Sequence, residues 1–534
     1  MTSRDRTVLI LGGGTMQLPA IEAARGLEAY VIVADGNESA PGKAVSDQFL
    51  HIDLKDVEQL LEAAREIRAT RGLDAVFTAG TDFSSSVSFV AERLGLPCTP
   101  YECAMDATDK FRMRERLRAS GVRVPDFALV ADEELAEGVP DRVRALGLPC
   151  VVKPADSMGA RGVVRADTWE DVDRYLEIAV SYSRSRRAVV EGYIDGPEFS
   201  LDAIVYGDEI QITGFADRNI CFPPFFIETG HTIPTTLSAS EQSAVIAEFK
   251  KGIRALNLGP GAAKGDMKLS SQGPVVGEIA NRLSGGYMSG WTYPYSSGVN
   301  LSEVGLRVAL GEAPGHIVAS LNNTSAERAI ISIPGVVKSI DVPENTRSHA
   351  DVREIFVTKR VGDLVRFPQN NVEKVGNVIS VHKDRQTAVK SAERAVSSIV
   401  VVLEADREET DAFLFGPSTN ETQYWAYESV ADELYPDHRH RDDRGAWKSI
   451  LNEQGGRRES VSFAIPDGML DRSERDWTYR TLKETLETVQ TRESIDVQRA
   501  PSGEPALIDL LFMRATLRGG VQGALYVIQS LRND

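Results

Sequence analysis

The sequence predicts a multidomain protein of the α/β and α+β classes, with a doubly wound parallel sheet at its N-terminus. Three observations carry this prediction. The 534 residues exceed what one hydrophobic core organises, so three or four domains are expected. Strands alternate with helices near the N-terminus, which is typical of a parallel sheet. The middle of the chain instead holds an antiparallel hairpin, Lys264–Gly286.

The composition excludes several classes of protein. A net charge of −18 argues against nucleic acid or an anionic membrane as the main partner, because such surfaces select basic proteins. No apolar run approaches the roughly 20 residues of a membrane span, and Met1–Arg6 lacks the apolar segment of a signal peptide. We therefore expect a cytoplasmic protein. The cysteines form no CxxC pair, so buried free thiols are expected at Cys98, Cys103, Cys150 and Cys221.

The N-terminal sheet begins with the apolar strand Thr7–Leu11, a turn of glycines at Gly12–Gly14 and a helical pattern. Further strands are expected at Val31–Ala34 and Ala75–Thr78. Gln17 replaces the third glycine of a dinucleotide fingerprint and is expected to crowd the helix against the strand. This argues against NAD and favours a turn that helps to hold a small substrate.

A basic helix is predicted at Asp106–Ser120, with its cap at Thr108-Asp109 and Gly121 at its C-terminal end. We interpret most of its arginines as solvated. Lys110 differs, because it lies in the first turn, where the helix dipole disfavours a cation unless an anion is nearby. This is a hint of phosphate binding.

A strand followed by a glycine loop lies at Pro149–Gly162. Lys153 ends the strand, and the backbone amides of a glycine loop can approach phosphate oxygens closely. The loop residues of interest are Ser157, Gly159, Arg161 and Gly162. The alternative is an ordinary surface turn. The loop is not a Walker motif, because the GK[ST] ending is absent.

Two acids flank the next glycine break. Glu191 begins the segment Glu191–Ile194, which contains Tyr193, and Glu198 begins the following strand. Such an arrangement could offer backbone groups to a base and a carboxylate to a ribose. Two ordinary surface acids are the alternative.

The hairpin Lys264–Gly286 places a second pair of acids. If its register is symmetric about Gln272, Asp266 lies directly opposite Glu278, with side chains roughly 5 Å apart. Facing carboxylates repel, and a buried pair keeps its charges when a cation lies between them. Two hard oxygen ligands beside a phosphate favour magnesium. The alternative is two acids facing solvent on an edge hairpin.

Four motifs occur in order along the chain: DATDKFRMRERL, VVKPADSMGARGV, VEGYIDGPEFS and GDMKL…GEIANR. Together they resemble the ATP-grasp superfamily over roughly residues 7 to 405. Within it, the chain is most similar to carbamoyl-phosphate-synthase-like L-amino-acid ligases and purine-pathway ligases. The resemblance implies four domains: an N-terminal Rossmann-like domain (1–102), the nucleotide-binding domain (103–330), a small C-terminal lobe (331–405) and an additional α+β domain (406–534).

The resemblance also implies the roles of individual residues. Lys110 and Lys153 would contact the phosphates of ATP, and the loop Ser157–Gly162 would close over them. The linker Glu191–Ile194 would hold adenine and Glu198 the ribose. The metal ligands would be Asp266 and Glu278, and Arg282 would face the transferred phosphoryl group. The metal would be Mg²⁺, which Mn²⁺ could replace.

One position departs from the family pattern. Many members carry Asn two residues after the second metal acid, where this chain has Ala280, with Asn281 one position later. Asn281 is therefore a conditional ligand, and a second metal ion is in doubt.

An aromatic and proline-rich segment precedes the hairpin. Its Glu228-Thr-Gly-His231 resembles the acceptor region of amino-acid ligases. Glu228 could hold an α-ammonium group, and His231 could orient or deprotonate an amine. A structural histidine is the alternative for His231. In the C-terminal domain, the histidines of DHRHRDD fit a solvated loop better than a metal site.

These observations favour an ATP-dependent carboxylate–amine ligase that forms an amide or peptide bond through an acyl phosphate. Its partners would be a small carboxylate and an amine, one of them an amino acid, and it could form a homodimer. The alternatives are an ATP-dependent carboxylase or purine-type ligase, and a non-catalytic ATP-binding scaffold.

Overall fold

The computed structural model describes residues 6–419, 423–434, 437–453, 461–466, 472–499 and 506–532. The chain divides into two compact units. The first unit comprises Met1–Phe226, Gly230–Ala326 and Val381–Arg385. The second comprises Ile227–Thr229, Glu327–Ser380 and Gln386–Asp534. The four domain ranges expected from the sequence stay a prediction.

The first unit begins with the predicted parallel sheet. Four strands run in the order β3-β2-β1-β4, and every pairing between them is parallel. The elements are β1 (Thr7–Leu11), α1 (Leu18–Gly26), β2 (Tyr30–Asp35), β3 (Gln48–His51), α2 (Val57–Thr70), β4 (Ala75–Phe77) and α3 (Ser84–Arg93). The prediction of a doubly wound sheet is confirmed.

Gln17 does not crowd the helix, contrary to the expectation. Its side chain is buried, accepts a hydrogen bond from the Ala79 amide at 2.9 Å and donates to the Ala79 carbonyl. The carboxamide therefore joins the glycine turn to the segment after β4. A residue larger than glycine at position 12 would meet it, because an added Cβ would lie 3.1 Å from Gln17 Cγ.

A second, antiparallel sheet has the order β5-β8-β6-β7. Two helices precede it and two lie between its strands. The elements in chain order are α4 (Tyr101–Asp106), α5 (Lys110–Ala119), β5 (Phe127–Ala131), α6 (Asp141–Arg144), β6 (Cys150–Pro154), β7 (Val164–Ala166), α7 (Trp169–Tyr182) and β8 (Arg187–Gly192).

Four further strands of the first unit pair in the antiparallel order β13-β12-β9-β10. The elements are β9 (Glu198–Tyr206), β10 (Glu209–Cys221), β11 (Ile227–Ile233), α8 (Ala239–Ala255), β12 (Gly261–Ser270), β13 (Gly273–Ala280), α9 (Tyr293–Ser297) and α10 (Leu301–Ala309). Met113 and Leu117 of α5 share a buried cluster with Phe249 of α8 and with Val276 and Ile279 of β13. This core fixes α5 beside the hairpin.

Asp266 and Glu278 face each other as predicted, but the register of the hairpin changes by one residue between this pair and the turn. Asp266 pairs with Glu278, while the pairs from Ser270–Gly273 to Met267–Val276 follow a register one residue shorter. A β-bulge at Gly277 supplies the extra residue. An added Cβ at Gly277 would lie 2.9 Å from the Asp266 carbonyl oxygen, so the bulge is tightly packed.

The second unit contains most of the remaining elements. They are β14 (Thr324–Ile330), β15 (Gly335–Asp341), α11 (Glu344–Arg347), β16 (Val352–Val357), β17 (Leu364–Val365), β18 (Gly376–His382), α12 (Arg385–Ser398), β19 (Val400–Leu403), α13 (Glu408–Phe415), α14 (Glu428–Leu434), α15 (Arg444–Glu453), β20 (Ser462–Ile465), α16 (Leu482–Glu493), β21 (Asp496–Arg499) and α17 (Leu507–Arg532). Strands β17, β15 and β19 form an antiparallel sheet, and β20 pairs with β21 in parallel.

The last helix, α17, is buried along Leu511–Leu531 and changes direction at Gly520, where φ is 56°. Gln522 donates to the Ser332 hydroxyl at 2.8 Å and accepts from the Ile333 amide at 3.1 Å. The last helix therefore contacts Ser332 and Ile333 of the predicted small lobe within the second unit.

The four cysteine thiols were expected to be free and buried. All four thiols are free, as expected, but Cys150 alone is buried and Cys221 is exposed. The expectation of burial is wrong for Cys221.

No helix within the described ranges is both long and apolar enough to cross a membrane. Those same ranges contain no group of three His, Cys, Asp or Glu side chains that could hold a metal ion.

Gly265→Ala is expected to destabilise the first unit. An added Cβ would lie 2.5 Å from the ring of Phe249, which is fully buried, so the core must shift at a cost of about 1–3 kcal/mol. Gly26→Ala at the end of α1 meets nothing within 4 Å and serves as the control. Thermal unfolding gives the midpoint temperature of each variant. Equal midpoints would contradict the packing described for β12.

Removal of residues 406–534 is expected to destabilise the remainder of the second unit. All residues of β19 are buried, and α17 packs against this strand, so truncation would expose apolar surface to water. Binding of a hydrophobic dye and the thermal midpoint measure the effect. A truncated chain that melts at the full-length midpoint and binds no dye would show that the C-terminal region is independent.

Candidate active site

The first turn of α5 brings Lys110 to the glycine loop. Asp109 caps the helix by accepting hydrogen bonds from the amides of Phe111 and Arg112 at 2.9 and 3.0 Å, which confirms Asp109 as the cap. The side chain of Lys110 is 6% exposed, and its Nζ donates to the Ser157 carbonyl at 2.6 Å. The ammonium group therefore lies at the start of the predicted phosphate loop.

Lys153 and Glu191 form a buried ion pair on adjacent strands. Lys153 Nζ lies 2.5 Å from Glu191 Oε2. Arg114 of α5 contacts the same carboxylate, with Nε 2.8 Å from Oε1 and Nη2 3.2 Å from Oε2. Arg114 is 1% exposed, so the interpretation of the helix as a solvated basic surface is wrong at this position. One carboxylate thus holds two cations.

Burial and charge oppose each other in this cluster. Burial lowers the pKa of Lys153, while Glu191 acts to raise it. Burial acts to raise the pKa of Glu191, but Arg114 and Lys153 lower it further, so the pKa of that carboxyl lies below its ordinary value. Glu191 is therefore ionised at neutral pH because its two partners are cations.

The glycine loop is tied to the N-terminal sheet. Gly159 and Gly162 have φ values of 70° and 68°, which favour glycine. Arg161 Nη2 lies 3.2 Å from the carboxylate of Asp82, in the segment after β4. The predicted roles of Ser157, Arg161 and the two glycines in binding phosphate stay predictions.

The linker after β8 borders a cleft of about 300 Å³. The Ile194 carbonyl accepts a hydrogen bond from Lys268 at 2.7 Å, and Lys268 also lies 3.0 Å from Glu198. The ring of Tyr193 has Arg165 and Lys268 over it at 4.6 and 4.9 Å. Tyr193, Glu198 and Lys268 line the cleft together with Arg165, Arg218 and Phe225.

The facing acids of the hairpin are surrounded by cations. Lys264 contacts the carboxylate of Asp266, and Arg218 lies 2.9 Å from its other oxygen. Burial opposes ionisation of Glu278, but nearby cations hold its pKa at about 2; they are Lys110, Lys264, Lys153 and Arg282. Glu278 is therefore ionised at neutral pH although it is buried.

Asn281 is held away from solvent by the N-terminal domain. Its side-chain oxygen accepts from the Thr99 hydroxyl at 2.7 Å, and its amide nitrogen lies 3.5 Å from the Ser88 hydroxyl. These contacts occupy the atom that would bind a metal. Its conditional role as a ligand stays a prediction.

The loop after β13 is anchored by a buried acid. Asp202 accepts a hydrogen bond from the Ser284 amide at 3.0 Å and another from the Ser284 hydroxyl. Burial raises the pKa of Asp202 to about 6. Arg282 in this loop donates to the Leu283 carbonyl at 3.0 Å. Its Nε is buried and has no hydrogen-bond partner among the residues described, so its N–H can donate to an anionic oxygen.

The predicted acceptor residues have separate surroundings. Glu228 belongs to the second unit, where its amide donates to Asn371 at 2.8 Å and its carbonyl accepts from Lys374 at 3.0 Å. His231 belongs to the first unit and is 1% exposed. The roles of Glu228 and His231 in holding an amine stay predictions.

Several residues of the site were missed from the sequence: Arg114, Asp202, Arg218, Lys264 and Lys268. Three of them have a spacing in the sequence that could have identified them. Lys264 and Lys268 lie two residues before and after Asp266, so strand alternation places all three on one face. Arg114 follows Lys110 by one helical turn, which puts both on one side of α5.

Two family models match the chain. Residues 146–290 match the ATP-grasp domain, and residues 328–404 match the L-amino acid ligase C-terminal domain 2. The first range contains the glycine loop, the linker and the facing acids. The second lies in the second unit of the structure.

Relatives and solved structures agree with these models. The chain is 25% identical over 334 residues to carnosine synthase 1 of Mus musculus, covering 58% of this chain and 40% of that protein. It is 25% identical over 414 residues to the formate-dependent phosphoribosylglycinamide formyltransferase of Mycolicibacterium gilvum, covering 69% and 92%. The structure of an L-amino acid ligase from Bacillus licheniformis has the same fold, with a TM-score of 0.65 and 22% identity over 76% of this chain and 100% of that one.

Asp202→Asn is expected to change the pH dependence of stability with a defined sign. The folded-state pKa of Asp202 is raised from 3.8 to about 6, so its favourable contribution is fully present below about pH 4 and is lost as the pH rises through about 6. The unfolding free energy of the wild type minus that of the variant should fall between about pH 4 and 8, by at most about 3 kcal/mol.

Urea unfolding at a series of pH values measures this difference. Asp208→Asn serves as the control, because Asp208 is exposed in the turn between β9 and β10. A difference for Asp202→Asn that stays constant or rises with pH would contradict the description of Asp202.

Proposed function

We propose that the chain, which matches the ATP-grasp domain and the L-amino acid ligase C-terminal domain 2, uses ATP to join a carboxylate to an amine. One observation carries the proposal. The facing carboxylates of Asp266 and Glu278 lie among four cations from different elements, Lys110, Lys153, Lys264 and Arg282. A polyanion with a divalent cation fits this distribution of charge.

The residues fit the phosphates of ATP by their charge. Lys110, Lys153 and Arg282 are cations whose charge reaches Glu278, and Arg282 carries a buried donor with no partner among the described residues. The cleft at Tyr193 and Glu198 adjoins this region along the linker and strand β9. We assign the base and ribose of ATP to that cleft.

The metal assignment rests on the chemistry of the two acids. Asp266 and Glu278 would hold Mg²⁺, which supplies charge neutralisation during phosphoryl transfer. Lys264 and Arg218 now contact Asp266, so these side chains must share or give up its oxygens when the metal binds. Glu278 keeps its charge down to about pH 2 and is ready to bind a cation at neutral pH.

The proposed reaction has two steps. A carboxylate oxygen of the first substrate attacks the γ-phosphorus of ATP, the bond to the bridging oxygen breaks, and ADP leaves. The amine then attacks the acyl carbon, loses a proton and expels phosphate, so an amide or peptide bond forms. Arg282 would stabilise the charge on the transferred group, His231 would take the proton, and Glu228 would hold an α-ammonium group.

The match of residues 328–404 favours an amino acid as one substrate, since this domain model is named for L-amino acid ligases. Carnosine synthase 1 of Mus musculus is also among the relatives. A purine-type ligase or carboxylase is the second candidate, and the similarity to a formyltransferase over 69% of the chain favours it.

The double variant Asp266→Asn/Glu278→Gln is expected to lower ADP release by at least about 100-fold, because the charges that hold the metal are removed. Release of ADP and phosphate is measured with amino acids and carboxylic acids supplied in pairs, and mass spectrometry identifies the product. Bicarbonate-dependent ADP release would indicate the carboxylase instead.

Asp208→Asn/Glu209→Gln is the matched control, because both acids are exposed in the same sheet. It should turn over like the wild type. Undiminished ADP release by the Asp266/Glu278 variant would refute the metal assignment. Nucleotide binding without turnover for every pair would identify a non-catalytic scaffold.

A further inference from the structure

We propose that Arg114 is a positioning residue: by holding Glu191, it keeps the charge of Lys153 available for a phosphate group of the bound nucleotide. The inference rests on the proposed function, because it needs an anionic ligand beside Lys153. Arg114 lies on the same helix as Lys110, but the sequence assigned it no role of its own.

The geometry of the three side chains supports this role. Arg114 contacts both oxygens of Glu191, at 2.8 and 3.2 Å, and Lys153 lies 2.5 Å from one of them. The side chain of Arg114 is 1% exposed and that of Glu191 6%. Water therefore has little access to the guanidinium and the carboxylate, and their charges interact strongly.

The count of charges gives the physical reason. One carboxylate faces two cations, so the cluster carries one net positive charge. If Arg114 were neutral, Lys153 and Glu191 would form a neutral buried pair, and the ligand would lose the attraction of Lys153. A planar guanidinium satisfies both oxygens of Glu191 at once, so the Lys153 ammonium supplies only one of several bonds to that carboxylate.

Arg114 also reaches the hairpin that carries the facing acids. Its Nη2 lies 2.5 Å from the carbonyl of Gly277, the bulge residue immediately before Glu278. Met113, its neighbour on α5, accepts a hydrogen bond from the Ile279 amide at 3.4 Å. The same turn of α5 thus contacts both Glu191 of β8 and the strand β13 that carries Glu278.

The other arginines of α5 lack these contacts and provide a control. Arg116 is about half exposed and lies 3.4 Å from Asp106. Its charge pairs at the surface, where exposed ion pairs contribute little. Arg116→Met removes the same kind of side chain from the same helix without touching Glu191.

The experiment measures binding of a non-hydrolysable ATP analogue with Mg²⁺ by calorimetry, for the wild type and for Arg114→Met, Glu191→Gln and the double variant. Arg114→Met should weaken binding by at least about 10-fold, since a charge-assisted contact to phosphate is lost. In the Glu191→Gln background, the same loss of Arg114 should cost less than about threefold in affinity, because no carboxylate then neutralises Lys153. The double variant should recover most of the lost affinity, because Lys153 is again uncompensated.

A merely structural role of Arg114 predicts a different pattern. Loss of the Gly277 contact is common to Arg114→Met and the double variant, so a structural defect would not be repaired by Glu191→Gln. Arg114→Lys keeps the positive charge but loses one bond of the planar fork, so it should weaken binding less than Arg114→Met does. It provides the test if Arg114→Met does not fold. An Arg114→Lys variant that binds the ATP analogue about 10-fold more weakly than the wild type, or worse, would overturn the proposal.

The remaining outcomes separate the two claims. Wild-type binding with an unchanged Arg114→Met variant, or a double variant that recovers nothing, would overturn the role of Arg114 alone. A wild-type protein that binds no nucleotide would overturn the proposed function and this inference with it. Arg116→Met should bind within about twofold of the wild type, and a loss equal to that of Arg114→Met would also overturn the proposal.

Discussion

The pairing of Asp266 with Glu278 across two adjacent strands is the constraint on which the rest of the site depends. Two carboxylates at facing positions repel, and burial makes the repulsion stronger. Cations from three elements offset this repulsion: Lys264 on β12 beside Asp266, Lys110 at the start of α5 and Lys153 near the end of β6. The elements around the hairpin are therefore placed by charge as much as by apolar packing.

Burial of a cation such as Lys153 favours loss of its proton, and the Arg114–Glu191 contact bears on this effect. Lys153 alone among apolar neighbours would tend to lose its proton, as the direction of its pKa shift shows. Glu191 keeps it charged, and Arg114 keeps Glu191 from neutralising it completely. Alternating charges, from Arg114 through Glu191 and Lys153 toward Glu278, let a buried site remain positive where a polyanion would bind.

Sequence reasoning found the parts of the site that local patterns encode and missed those that depend on tertiary contacts. Lys110, Lys153 and the facing acids follow from a cap, a strand end and a hairpin. The burial of Arg114 depends on which face of α5 meets the sheet, and the core formed by Met113 and Leu117 decides that. The bulge at Gly277 and the fit of Gln17 likewise depend on close packing that neither propensity nor spacing reveals.

The C-terminal region shows the same limit at the level of domains. Its composition suggested a domain of its own after residue 405 and did not reveal that Gly519 of α17 lies close to the small lobe. A Cβ added at Gly519 would lie 3.2 Å from Ile333, and one at Gly520 would lie 2.6 Å from the Asp476 carboxylate. Gly523 would meet the Ala515 carbonyl at the change of helix direction. Gly519 therefore lets the buried helix pack closely on Ile333, and Gly520 and Gly523 fit the contacts at the change of helix direction, so the helix and the lobe pack together within the second unit.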